Sequence, residues 1–279
     1  MRAKMTSSAV LQPALSVVLE ALEKIRDSQE KPLRVSRATL NRLFEQAAPP
    51  VAEADVPATP KPGEGGSPAR NTDVAAKAAA LAHVRERVCV CMKCPHLART
   101  RTQTVFGVGN PDAELMFVGE APGADEDARG EPFVGRAGQL LTRIIETMGL
   151  SRDEVYIANI LKCRPDMPRG TPGNRPPTPK EMSTCIGYLI EQIEIIQPRV
   201  LVALGATAVE GLLETRGAMR QLRGTWHSYH DTPLMITYHP SYLLRNQSPG
   251  EKRKVWEDMI AVLEKLDRPI SERQRSYFL

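Results

Sequence analysis

The residues equipped for chemistry form three groups. They are five cysteines, an acidic stretch punctuated by glycines from Gly119 to Gly138, and His239, which precedes Pro240-Ser241-Tyr242-Leu243-Leu244-Arg245. Cys91 and Cys94 form a CxxC pair, Cys163 follows in Leu-Lys-Cys-Arg-Pro, and Cys185 lies further on. A CxxC pair with two distant cysteines is a complete four-thiolate set, which zinc and iron–sulfur clusters accept alike. Cys89 extends the pair to CxCxxC and reads as a spare thiol. The acidic stretch, GEAPGADEDARGEPFVGRAGQLL, has glycines at 119, 123, 130, 135 and 138 and acids at 120, 125, 126, 127 and 131. Its glycines permit tight turns and close backbone approach to a ligand. The spacing is neither GxGxxG nor a Walker loop, which argues against a nucleotide cofactor.

Four apolar runs carry these groups: Leu115–Val118, Val155–Ile160, Val200–Leu204 and Leu234–Thr237. Helical patterns separate or follow them at Ala137–Met148, Pro179–Gln197, Ala206–Glu214 and Glu251–Leu266, with an alanine-rich helix at 74–88 ahead of the cysteines. Short apolar strands alternating with helices predict an α/β fold of three layers, a central four-stranded parallel sheet flanked by helices. Ligands of such sheets bind beyond the carboxyl ends of the strands. Four tips should therefore meet: Gly119–Gly123, Asn159–Arg164, Gly205–Ala206 and His239–Arg245. A histidine sharing an edge with an acidic loop points to catalysis more than to a structural hydrogen bond.

The chain has 279 residues, a formal net charge of +4 and 5% aromatics, a mildly basic balance compatible with a polyanionic partner. Residues 74–279 should form the α/β domain. Residues 1–47 carry two helical patterns, about Ala9–Ser28 and one following Ser36, read as a small helical extension that binds an unknown protein or remains a loosely ordered tail. Residues 48–73, with six prolines, three glycines and no aromatic, read as a linker. No run of 18 apolar residues is present, and the N-terminus lacks a cleavage pattern, so no membrane span and a reducing cytoplasm are expected, with a monomeric state.

GEAPGxxED followed by PFVG and GxLL resembles the first motif of the family-four uracil-DNA glycosylases, and HPSYLLR resembles their second. The similarity spans roughly residues 80–266. It implies a DNA-repair hydrolase that removes uracil from DNA to leave an abasic site, in a bacterial cytoplasm where DNA would hold it at the nucleoid. It implies a [4Fe–4S] cluster on Cys91, Cys94, Cys163 and Cys185, although the segment CRPDMPRGTPGNR is longer than the family's CRPPGNR. It implies that Phe133 stacks on uracil, that Asn159 reads its edge, that His239 stabilises the leaving anion at O2, and that backbone around Gly119 and Ala121 completes the pocket. Family-one enzymes use an aspartate where Ala121 stands, so the carboxylate that positions water is expected to be Glu120, with Glu126 next and Asp127 behind them. Arg99, Arg101, Lys162, Arg164, Arg169 and Arg175 are candidate phosphate cations, and Leu243, Leu244 and Arg245 a wedge at the base stack, with one of the two leucines as readily packed inward.

Two other readings fit parts of the same pattern. A related subgroup bonds covalently to uracil-DNA through a histidine in a basic loop after the second strand; residues 163–178 contain no histidine, which favours turnover. A non-enzymatic, cluster-bearing DNA-binding protein is disfavoured by intact Glu120, Asn159 and His239.

Overall fold

The computed structural model describes residues 73–165, 167 and 173–279. The two expected N-terminal helices, the linker up to residue 72 and Arg169 lie outside the described residues. Asp73 caps α1 (Val74–Cys89) by accepting the Ala76 N–H at 3.0 Å. A short α2 (Pro95–Thr100) starts on a proline directly after Cys94. Strands and helices then alternate as β1 (Val108–Gly109), β2 (Leu115–Gly119), α3 (Ala124–Arg129), α4 (Arg136–Thr147), β3 (Tyr156–Asn159), α5 (Pro179–Ile196), β4 (Val200–Leu204), α6 (Ala206–Leu213) and α7 (Met219–Leu222). The chain continues through β5 (Trp226–Tyr229), β6 (Thr232–Thr237), α8 (Pro240–Arg245), α9 (Pro249–Lys265) and α10 (Glu272–Arg275).

The four expected strands pair in parallel in the order β3-β2-β4-β6. Two further strands extend this core to six: β1 runs antiparallel on β3, and β5 antiparallel on β6. Sequence patterning missed both edges for physical reasons. Two residues carry no periodicity, and Trp-His-Ser-Tyr in β5 is half-exposed and lacks the apolar run of a strand buried on both faces.

Alternation along the strands sorts the core into two layers. Met116, Val118, Tyr156, Ala158, Leu201, Ala203, Leu234 and Ile236 pack with Leu81 and Val84 of α1, Leu189 and Ile193 of α5 and Val209 of α6. Leu115, Phe117, Ile157, Val200, Val202 and Met235 face the other way, onto Leu141 and Ile145 of α4 and Trp256, Met259 and Val262 of α9. A one-residue slip in any central strand would exchange these sets, so the register that aligns Gly119 with Asn159 is enforced by both layers. Because the four core strands run in one direction, their carboxyl ends converge on one edge.

Candidate active site

A cavity of about 540 Å³ opens at that edge. The β2 tip contributes Glu120 to Gly123, Glu126 and Phe133; β3 contributes Asn159; the β4 tip contributes Gly205 and Thr207; and the β6 tip contributes His239, Ser241 and Arg245. The expected convergence of four tips is what the structure contains. Asn174, Arg175 and Pro176 line the cavity as well, from the segment after Cys163.

Phe133 is set by backbone chemistry. Its φ of 55° lies in the left-handed region, a conformation that costs a non-glycine residue on the order of 1 kcal/mol. Arg152 supports it from behind, donating to Phe133 O at 3.2 Å, Pro132 O at 2.9 Å and Thr142 Oγ1 at 3.1 Å. Gly138 permits the turn, since a Cβ there would sit 1.9 Å from the Phe133 carbonyl. Glu126 ties the whole loop together: its carboxylate accepts from the N–H groups of Gly123, Val134 and Gly135 at 3.0, 3.0 and 2.9 Å. The Phe133 ring then lies 5.6 Å from the His239 imidazole, centroid to centroid.

Asn159 is only 2% exposed, and its Oδ1 has no hydrogen-bond partner among the described residues. A buried acceptor left unpaired costs about 1–3 kcal/mol, so an orphan on a cavity wall calls for a ligand N–H. Gly119 makes room for this arrangement, because a Cβ would meet Asn159 Oδ1 at 2.4 Å and Phe133 Cζ at 2.5 Å.

His239 is the N-cap of α8. Its Nδ1 accepts the Ser241 N–H at 3.1 Å and lies 2.8 Å from Ser241 Oγ. Burial above all, then the nearby Arg245 cation, pushes its pKa down to about 4, with Glu126 opposing. The imidazole is therefore neutral at pH 7, and an occupied Nδ1 acceptor puts the proton on Nε2, which becomes a donor. Glu120 accepts a 2.5 Å hydrogen bond from Thr207 Oγ1, in the first turn of α6.

Cys91, Cys94, Cys163 and Cys185 line a second, small cavity with Leu161 and Tyr188, whereas Cys89 is exposed and outside it. Three chain segments meet there: the α1–α2 connection, the β3 tip and α5. Arg101 donates to Cys163 Sγ at 3.0 Å and Cys91 O at 2.8 Å, and the Lys162 N–H donates to Cys185 Sγ at 3.3 Å. Burial raises the Cys94 and Cys163 thiols and pushes Cys185 up to about 11. Among the described residues, no three His, Cys, Asp or Glu side chains gather closely enough to hold a single metal ion.

The cations are sorted differently from expectation. Lys162 is fully buried, donating to Asn159 O at 3.0 Å and Gln192 Oε1 at 2.5 Å, so it supports the Asn159 backbone and reaches no phosphate. Arg101 faces the thiols. Arg175 donates through Nη1 and Nη2 to Glu181, which His96 also contacts at 2.7 Å. Arg164 donates to Gly173 O, while Arg99 and Arg245 are exposed. Asp127, buried, accepts the Thr102 N–H on both oxygens and so anchors the segment after α2. Leu243 packs inward with Tyr238 and Val255, and Leu244 is half-buried. Sequence reading gave no role to Arg152, Thr207 or Asn174; Asn174 stands in the Gly-Asn-Arg string of the quoted motif and Thr207 two residues past the Gly205 tip, whereas Arg152 left no trace.

Residues 106–260 match the family described as the Uracil DNA glycosylase superfamily. The chain is 47% identical over 178 residues to a type-4 uracil-DNA glycosylase of Thermotoga maritima, covering 63% of this chain and 89% of that protein. It is 54% identical over 127 residues to one of Archaeoglobus fulgidus (46% and 60%) and 41% identical over 194 residues to one of Sulfurisphaera tokodaii (66% and 84%).

Proposed function

The chain belongs to the uracil-DNA glycosylase superfamily and, within it, to the type-4 uracil-DNA glycosylases, and from that premise we propose how its cavity removes uracil from DNA. The observation that carries the reading is the orphaned Oδ1 of Asn159 beside an aromatic face and a neutral histidine. A base in a duplex must leave the stack to be attacked. Flipped into this cavity, uracil stacks on Phe133. Asn159 accepts from N3–H through Oδ1 and donates to O4 through its amide, a pairing that cytosine, with an acceptor at N3 and an amine at C4, cannot make.

As the C1′–N1 bond breaks, the base takes the electron pair and negative charge spreads to O2. The Nε2–H of His239 stabilises that charge, and with a folded pKa near 4 it does so as a neutral donor. Water adds to C1′, its proton leaves, and uracil is released protonated at N1. Glu120 suits the opposite role, holding the water and countering the positive charge on the sugar. The contact from Thr207 occupies Oε2, leaving Oε1 for water. Glu126 already serves three backbone N–H groups, which favours a positioning role for it. Backbone of Gly119 and Ala121 closes the pocket floor. Arg164 and Arg245 are the phosphate contacts we favour, with Leu244 as wedge; Arg175, tied to Glu181, holds the 173–176 wall.

The four thiols around one cavity suit a [4Fe–4S] cluster held by Cys91, Cys94, Cys163 and Cys185. Thiols whose pKa burial has raised need a compensating cation to ionise together, and two N–H donors already point at sulfur. When bound, the cluster would supply a covalent tie between three segments, and the hydrolysis needs no electron from it. No described helix is long and apolar enough to cross a membrane. We place the protein as a monomer on nucleoid DNA in a bacterial cytoplasm, with residues 1–47 available to bind another protein; the thiol-rich site and net positive charge support that setting.

Incubation with a single-uracil oligonucleotide, followed by alkali, should cleave the strand at uracil. Asn159→Ala and His239→Ala should each slow this by about 10²–10³-fold while remaining folded. A stable protein–DNA band on a denaturing gel would overturn turnover, and near-wild-type rates in both variants would overturn the assignment.

A further inference from the structure

A third cavity, of about 530 Å³, opens on a different face of α8. Ser241 and Arg245, one helical turn apart, line the uracil pocket, whereas Leu243 and Leu244 line this one. Its walls are apolar, from Leu140, Leu244 and Trp256, and Phe278 stands at its lip with its ring half-exposed. Among the described residues, the charged ones lining it are Arg143 and Lys252, both cationic, and neither is ion-paired with a described residue. The lip is also firmly built. Trp256 Nε1 donates to Gln274 O at 2.5 Å, Arg253 to Arg275 O and Tyr277 O at 2.7 and 2.9 Å, and Gln274 Nε2 to Thr147 O at 2.8 Å.

We propose that this cavity is a second nucleobase subsite: it takes an unpaired base of the same DNA strand a few nucleotides from the uracil, stacked on Phe278, with Arg143 and Lys252 on the adjoining phosphates. Aromatic faces beside a positively charged groove are how single strands are held without sequence preference. Continuity selects DNA over an apolar peptide, because Leu244 and Arg245 of one short helix face the two cavities. The inference rests on the uracil-DNA reading of the neighbouring pocket.

The test measures affinity for a uracil-free, labelled oligothymidylate of about 12 nucleotides, a length within the span such sites cover. Phe278→Ala should weaken it about tenfold, the effect of losing one stacked base. Arg143→Gln should lower the slope of log affinity against log salt by about 0.7. Phe278→Trp should restore affinity, with fluorescence above that of the native Trp226 and Trp256 quenched on DNA addition. Uracil excision from an oligonucleotide too short to span both cavities should be unchanged in Phe278→Ala. Equal affinity in wild type and Phe278→Ala, with no quenching in Phe278→Trp, overturns the subsite. A Phe278 effect without any uracil excision by the wild type supports the subsite and overturns the uracil reading alone.

Discussion

His239 combines two properties that seldom coincide in a histidine: it borders a water-accessible cavity, and it stays neutral well below pH 6. Burial is the main cause and Arg245 the second. The consequence for stability has a definite sign. Between pH 6.5 and about 4, the unfolded chain takes up a proton at this position that the folded chain refuses, so this site lowers stability as pH falls through that window. His239→Gln should therefore lose less thermal stability than wild type between pH 6.5 and 4.5, as followed by melting temperature; a wider loss would contradict the depressed pKa. At the same level, the two candidate carboxylates separate by what each touches. Glu120→Gln keeps the Thr207 hydrogen bond and removes only charge, so excision should fall about 10²–10³-fold with the melting temperature unchanged.

The loop from Gly123 to Gly135 behaves as an element in its own right, although α3 is its only regular part. Glu126 closes it, Arg152 supports it, and Gly119 and Gly138 leave the volume that Phe133 occupies. Removing the closure should therefore act on stability first. Glu126→Ala strands three backbone N–H groups and should cost about 3 kcal/mol in a denaturant titration, with Glu126→Gln recovering part of it. Gly119→Ala makes the complementary case. Its Cβ would collide with Asn159 Oδ1 and the Phe133 ring, so on the roles proposed for them excision should drop about 10²-fold, as misplacement of about 1 Å would produce. Gly119→Ala with wild-type excision would mean that Asn159 and Phe133 do not act on the base.

For the molecule as a whole, the strand register and the proposed cluster would fasten the same edge of the sheet. The sheet aligns Gly119 with Asn159 through strand register, and thiols from the α1–α2 turn, the segment after β3 and α5 line one small cavity, which the proposed cluster would tie together. Lys162 links the two, donating to Asn159 O one residue before Cys163. Cys163→Ser or Cys185→Ser should lose visible absorbance and bound iron and melt at lower temperature. Cys89→Ser, at an exposed position outside the cavity, should retain all three. Equal iron content in all of these variants would remove the four-cysteine assignment.

Much of this was legible in the chain. Long apolar runs marked all four parallel strands, and turn residues placed Gly119, Asn159, Gly205 and His239 at their tips, because strand and helix periodicity is a local property. What escaped depends on partners distant in sequence. Lys162 and Arg101 read as phosphate cations, since nothing local shows that Gln192 and Cys163 would enclose them. Glu126 read as a candidate catalyst because its three N–H partners assemble only once the loop has folded. Arg152, remote from every motif, carries no sequence signal that it holds Phe133 from behind. Residue type and spacing determined which groups could do chemistry and on which edge they would meet. Only tertiary structure decided which charges remain free to act, because burial and hydrogen-bond satisfaction are set by the entire surroundings of a group.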